Sequence, residues 1–152
     1  MRAALWTLLR FPGPMEGLMR FSTRFTGTDE AAVDKTLERN AGRLGPADQK
    51  LLADPAVRRA FATATAEGYR QGADAPTKDG IVFGGTWGFD ANQVGFENVF
   101  MWQGELDRVM PAAAARLLSE ALPHCNSTFY PDEGHLSTLV NRAADIWQAL
   151  IA

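Results

Sequence analysis

Four large apolar side chains stand in succession at Val99, Phe100, Met101 and Trp102. A run without alternation is what a parallel strand buried on both faces needs, because helices cover both sides of such a sheet. The residues after Trp102 narrow the fold further. A polar turn, QGELDRVMP, leads into a helix beginning near Pro111, with Ala114, Leu117, Leu118 and Ala121 as its apolar stripe. A second short strand, NSTFY, comes next, and Leu136, Leu139, Val140, Ala143, Ile146, Trp147 and Leu150 then fall at helical spacing. Strand, loop, helix, strand, loop, helix is the order of parallel α/β architecture. In open parallel sheets the functional groups lie outside the carboxyl ends of the strands. Asp107 and His135 each fall just past such an end.

Up to about residue 75 the chain reads differently, as helices and loops. Thr28 or Asp29 can cap a helix carrying Val33, Leu37 and Ala41, with Gly42 as its stop. Asp54 followed by Pro55 starts another, since proline at the first helical position loses no hydrogen bond. Val57, Ala60, Phe61, Ala64 and Gly68 are its expected apolar face and Gly72 its end. RFPGPMEG and GADAPTKDG read as breaker-rich connections. The opening MRAALWTLLRFPG reads as an amphipathic helix, not a signal peptide: its apolar run stops at Arg10 and no A-x-A site follows.

Composition excludes several classes of function. The 152 residues suffice for one domain with a core, and 46% hydrophobic with 22% charged is ordinary for a globular protein. Net charge is −3, and the twelve arginines are scattered, so no electrostatic footprint for nucleic acid exists. A single cysteine, Cys125, rules out an internal disulfide and fits a reducing, cytoplasmic setting. No Cys/His cluster has metal-ligand spacing, so neither metal nor cofactor is expected, and no segment approaches the length of a membrane span.

Two segments, WGFDANQVGFENVFMWQGELDRVMP and LPHCNSTFYPDEGHLSTLV, together resemble the C-terminal half of the α/β-hydrolase superfamily. There a strand ends in G-x-x-D-x-x-x-P, whose aspartate is the triad acid, and a later loop ending in G-H supplies the triad base. Gly104, Asp107 and Pro111 fill the first pattern; Gly134 and His135 fill the second. The resemblance covers roughly residues 85–152. It implies that residues 95–152 form two parallel strands with flanking helices, preceded over residues 1–94 by a helical lid. It also implies that Asp107 orients His135, the general base. The chemistry requires those types: a hydroxyl is a poor nucleophile until an imidazole takes its proton, and the imidazole needs a carboxylate on its other nitrogen. Histidine suits the task because its ordinary pKa is about 6.5. Glu105 competes as the acid but stands off the family's position. Asp132 and Glu133 read as a solvated turn, and His124 as a partner for the terminal carbonyls of the helix before it.

The nucleophile of that family sits in G-x-S-x-G, and no such motif occurs here. Ser22, Ser119, Ser127 and Ser137 all lack the flanking glycines, and Ser137 reads as a hydrogen-bond partner for the nearby backbone. The expectation is therefore a chain that begins inside a longer hydrolase and carries two triad members of three. The missing nucleophile is serine, or aspartate as in the dehalogenase and epoxide-hydrolase branches. The resemblance implies hydrolysis of an ester-like small molecule when complete, and no activity for this chain alone. A binding or interaction module derived from a hydrolase is the alternative, and a free-standing structural domain a third reading. Phe61, Tyr69 and Trp87 either line an acyl pocket or are plain core. Two strands are too few to bury their faces, so self-association through the open sheet edge is expected.

Overall fold

The computed structural model describes residues 28–151 except 71, 73, 85 and 86. The amphipathic segment and the RFPGPMEG connection read at the start of the chain lie outside the described residues. Among the described residues, four α-helices precede the sheet: α1 (Glu30–Asn40), α2 (Pro46–Leu52), α3 (Pro55–Gly68) and α4 (Asp74–Gly84). The chain divides into two compact units, one built from residues up to Glu38 with Ala56–Gly88, the other from Arg39–Pro55 with the chain from Phe89 onward.

The first unit is helical. Asp29 caps α1, its carboxylate accepting the Ala32 N–H at 3.0 Å. Val33 is buried, as its spacing implies. The helix does not stop at Gly42 but tightens into a 3₁₀ turn over Ala41–Arg43. In α3 the inner face is rotated from the expected one: Ala62 is fully buried while Ala60 and Ala64 are exposed. Arg58 takes the inward position, donating from Nε to Asp34 Oδ1 at 2.9 Å with its stem packed inside. The helix ends at Gly68, before the expected Gly72. Gly72, at φ +87°, closes the turn beyond it by donating its N–H to Tyr69 O at 2.7 Å. In place of the expected loop, α4 begins at Asp74. Pro76 is tolerated because it lies in the first turn, where an N–H would have no intrahelical acceptor.

The second unit is a mixed α/β assembly. Strand β1 (Val99–Gly104) leads through α5 (Ala112–Ala121) to β2 (Cys125–Tyr130), which pairs with β1 in parallel. The register runs from Val99 opposite Cys125 to Gly104 opposite Tyr130. Phe100 and Trp102 lie on one face, two residues apart, with their rings stacked 5.6 Å between centroids. The strand is parallel as expected but only half-buried along Val99–Gln103, not closed on both faces. In α5 the inward positions are Ala112, Ala115, Leu118 and Ser119; Leu117, expected inside, is exposed.

The last helix is in fact two, α6 (Ser137–Asn141) and α7 (Ala143–Ile151), parted at Arg142. Arg142 is drawn back onto the β2 turn. Its Nη2 donates to both oxygens of Asp132 at 3.0 and 3.1 Å, its Nε lies 2.9 Å from Glu133 Oε1, and its guanidinium sits over the Tyr130 ring. Ser137 and Thr138 are buried, while Leu139 and Trp147 are 61% and 65% exposed. The expected apolar stripe is therefore split: Leu136, Ala143 and Ile146 are half-buried, while Leu139, Val140, Trp147 and Leu150 are exposed. The turn reading of Glu133 also needs correction: it is buried, held by Arg142 and by the Asn141 side-chain amide. Asp132 is exposed, as a turn residue should be.

Among the described residues each strand pairs along one edge only. With Leu139, Val140, Trp147, Leu150 and Ile151 exposed nearby in sequence, association that grows with concentration is expected in sedimentation velocity. A monomer with a sharp, cooperative melt at high temperature would contradict it.

Candidate active site

The two loops that leave the carboxyl ends of β1 and β2 are tied to each other before any side chain is considered. Glu105 N–H donates to Tyr130 O and Leu106 N–H to Glu133 O, both at 2.9 Å. Gly104, buried at the end of β1, makes that approach feasible: a methyl there would lie 2.6 Å from the Gly134 carbonyl oxygen. The backbone thus brings Asp107 and His135 to the same end of the sheet.

Their side chains meet. Asp107 Oδ2 lies 2.9 Å from His135 Nδ1. Asp107 Oδ1 accepts the N–H groups of Val109 and Met110 at 2.7 and 2.8 Å, the local bonding of an aspartate that organises its own turn. Gln103 Nε2 donates to Oδ2 at 3.0 Å and also to Met110 O at 3.0 Å, which locks the acid loop onto the strand. The Asp107 side chain is 4% exposed. Burial alone would raise its pKa, but the donors from Met110, His135, Val109 and Gln103 together outweigh burial and hold it below the ordinary carboxyl value of 3.8.

An ionised carboxylate only accepts, so the contact assigns the proton to Nδ1 of His135. Nε2 is then a lone-pair acceptor, with no hydrogen-bond partner among the described residues. The imidazole is 37% exposed and borders an open cleft of about 310 Å³, together with Trp102, Met110, Leu139 and Ile146. The pair can accept a proton from a group entering the cleft and stabilise the imidazolium that results.

Glu105, the competing acid, does not reach His135; its carboxylate pairs with Arg116, whose guanidinium also covers the Phe129 ring. His124 is exposed, and its ring bonds to no described residue, so the expected bond to helix-terminal carbonyls is not made. Ser137 is fully buried and its Oγ accepts the Gly134 N–H at 2.7 Å, the local backbone role expected of it. Ser127 is exposed on β2, and Cys125 is the first residue of that strand. Phe61, Tyr69 and Trp87 belong to the helical unit. No group of three potential metal-ligating residues occurs among the described residues, and no described helix is long and apolar enough to cross a membrane.

One residue of this site carries no signal in the sequence. Asp48, in the first turn of α2, is fully buried. Its carboxylate accepts the N–H groups of His135, Leu136 and Ser137 at 2.8, 2.9 and 2.9 Å. Eighty-seven residues separate it from His135. In the sequence it is one more acid near a helix start, and nothing local distinguishes it. No family model, curated protein or solved structure matches this chain.

Because the Asp107 pKa is lowered on folding, its ionised form contributes stability that is present above the unfolded value and lost as pH falls through the folded one. Asp107→Asn should therefore be less stable than the parent by about 1–3 kcal/mol at neutral pH, since two backbone donors lose a charged acceptor. The difference, read from urea midpoints, should shrink below about pH 4. A difference that persists unchanged to about pH 2 would contradict the assignment.

Proposed function

We propose that this chain carries the acid and base of a serine-type α/β-hydrolase: the acid–histidine segment of its sheet, with the helical unit standing where that superfamily inserts a lid. The observation that carries the reading is the Asp107–His135 pair, 2.9 Å apart through Nδ1, with His135 lining an open cleft and its Nε2 without a hydrogen-bond partner among the described residues. Asp107 holds the Nδ1–H tautomer. His135 takes the proton of a nucleophile and later returns it to the leaving group. The substrate class is a small carboxylic ester, cleaved through a covalent acyl-enzyme. The same two motifs that suggested the family, G-x-x-D-x-x-x-P and G-H, supply the two interacting side chains.

The nucleophile is the third requirement. No G-x-S-x-G occurs in the 152 residues. Ser137 is committed to the Gly134 amide, and Ser127 and Cys125 stand on a strand with no elbow. We read the chain as inactive by itself and competent only with a polypeptide that brings the nucleophile and an oxyanion hole, whose single donors are worth about 10²–10³ in rate.

The purified chain is expected to show no turnover of p-nitrophenyl esters. Co-expression with a hydrolase half bearing the nucleophile elbow should restore hydrolysis, and His135→Ala should then lower kcat by roughly 10²–10⁴-fold. Hydrolysis by the chain alone that depends on His135 would overturn the missing-nucleophile account. Restored hydrolysis indifferent to His135 would overturn the assignment of the base.

A further inference from the structure

Asp48 has a feature that a simple helix cap does not explain. A buried carboxylate is costly unless it is paired or fully hydrogen-bonded, and no cation among the described residues lies within ion-pair distance of Asp48. Among the described residues its compensation comes from three consecutive backbone N–H groups, and the first belongs to His135. The His135 residue is thus held twice: its backbone by Asp48, its ring by Asp107. Neither hold replaces the other. The Asp48 bonds fix where the Cα of His135 stands, and the Asp107 bond fixes how the ring turns.

The fit is tight on the opposite side as well. A methyl on Gly134 would lie 2.6 Å from the Asp48 Cγ, so the carboxylate occupies the space a side chain would need. The loop closes around it, with Gly134 N–H donating to Ser137 Oγ and Thr138 Oγ1 donating to Gly134 O, both at 2.7 Å. The same helix start also meets the acid loop. Gly45, buried and next to Pro46, packs on the Leu106 backbone so closely that an added methyl would lie 3.3 Å from Leu106 C and nearer still to its oxygen. One short element, Gly45 to Asp48, therefore touches both loops that must be brought into register.

We propose that Asp48 is a positioning residue for the general base: through the backbone of residues 135–137, and with Gly45 bracing the acid loop, it sets the distance at which His135 meets Asp107. The segment Arg39–Pro55 then belongs to the catalytic body, not to a lid. This rests on the reading of His135 as the base, but it is measured without turnover, so a failure of ester hydrolysis leaves it standing or falling on its own.

The test is Asp48→Asn in the full chain. Asn keeps the shape and one acceptor but replaces one carboxylate oxygen by a donor. Amide exchange at His135, Leu136 and Ser137 should quicken by about tenfold or more, with the strand amides of Met101 and Thr128 unchanged. The downfield proton resonance of His135 Nδ1–H bound to Asp107 should broaden or vanish. Leu52→Ala, which truncates a buried side chain in the same helix, lowers global stability and should leave that resonance in place. Loss of the resonance in Leu52→Ala to the same extent would show a merely structural role and overturn the proposal. Unchanged exchange and an unchanged resonance in Asp48→Asn would overturn it as well. If Asp48→Asn does not fold, Gly134→Ala carries the test, because its methyl must displace the carboxylate. The resonance should then be lost, and its survival overturns the proposal.

Discussion

A carboxylate buried with no cation within ion-pair distance among the described residues must find hydrogen-bond donors, and Asp48 finds them in the loop that carries His135. Much of the α/β unit is arranged around that demand. The three amides must point inward together, which draws residues 134–137 into a turn and puts Ser137 and Thr138, not the leucines, on the inner side of α6. The bend at Arg142 completes the turn by returning the chain to Asp132 and Glu133. Polar groups thus decide the course of the chain at the point where the sequence pattern assigns that role to an apolar stripe. Leu139, Val140, Trp147 and Leu150 of that stripe are left facing outward, and Leu136, Ala143 and Ile146 are half-buried.

The loop that carries Asp107 answers the same need for donors. Asp107 uses all of its accepting capacity: two backbone N–H groups, one side-chain amide and one imidazole. A carboxylate so surrounded stays ionised although its side chain is almost fully covered, and only an ionised acid can hold the imidazole in the tautomer that leaves Nε2 bare. Electrostatics and geometry are inseparable here. The donors that build the turn also keep the charge that orients the His135 ring.

How much of this is legible in the sequence divides along the range of the interactions. The parallel pairing of Val99–Gly104 with Cys125–Tyr130 is readable because apolar runs and turn residues are local signals. The meeting of Asp107 with His135 follows from two short motifs and the rule that places both past carboxyl ends of parallel strands. Helix faces read from spacing fall about one residue out of register: in α3 an arginine with an acidic partner takes an inner position, and in α5 Leu117 turns out and Ala115 in. The helix at Asp74 is hidden by its proline, which reads as a breaker unless it lies in the first turn. Glu133 and Asp48 have no local signal at all. Each is an acid in a stretch that looks solvated, and each is buried only because partners far along the chain or across a bend arrive to satisfy it.

The central claim is that the Asp107–His135 contact is a working arrangement of acid and base, not two surface residues that happen to touch. The tautomer of His135 tests this most directly. Long-range proton–nitrogen correlation on the neutral imidazole reads which nitrogen bears the proton. The expected result is protonated Nδ1 with bare Nε2 in the parent chain, and loss of that preference in Asp107→Asn. A parent chain in which Nε2 carries the proton would contradict the account, because the nitrogen not bound to Asp107 could not then accept one.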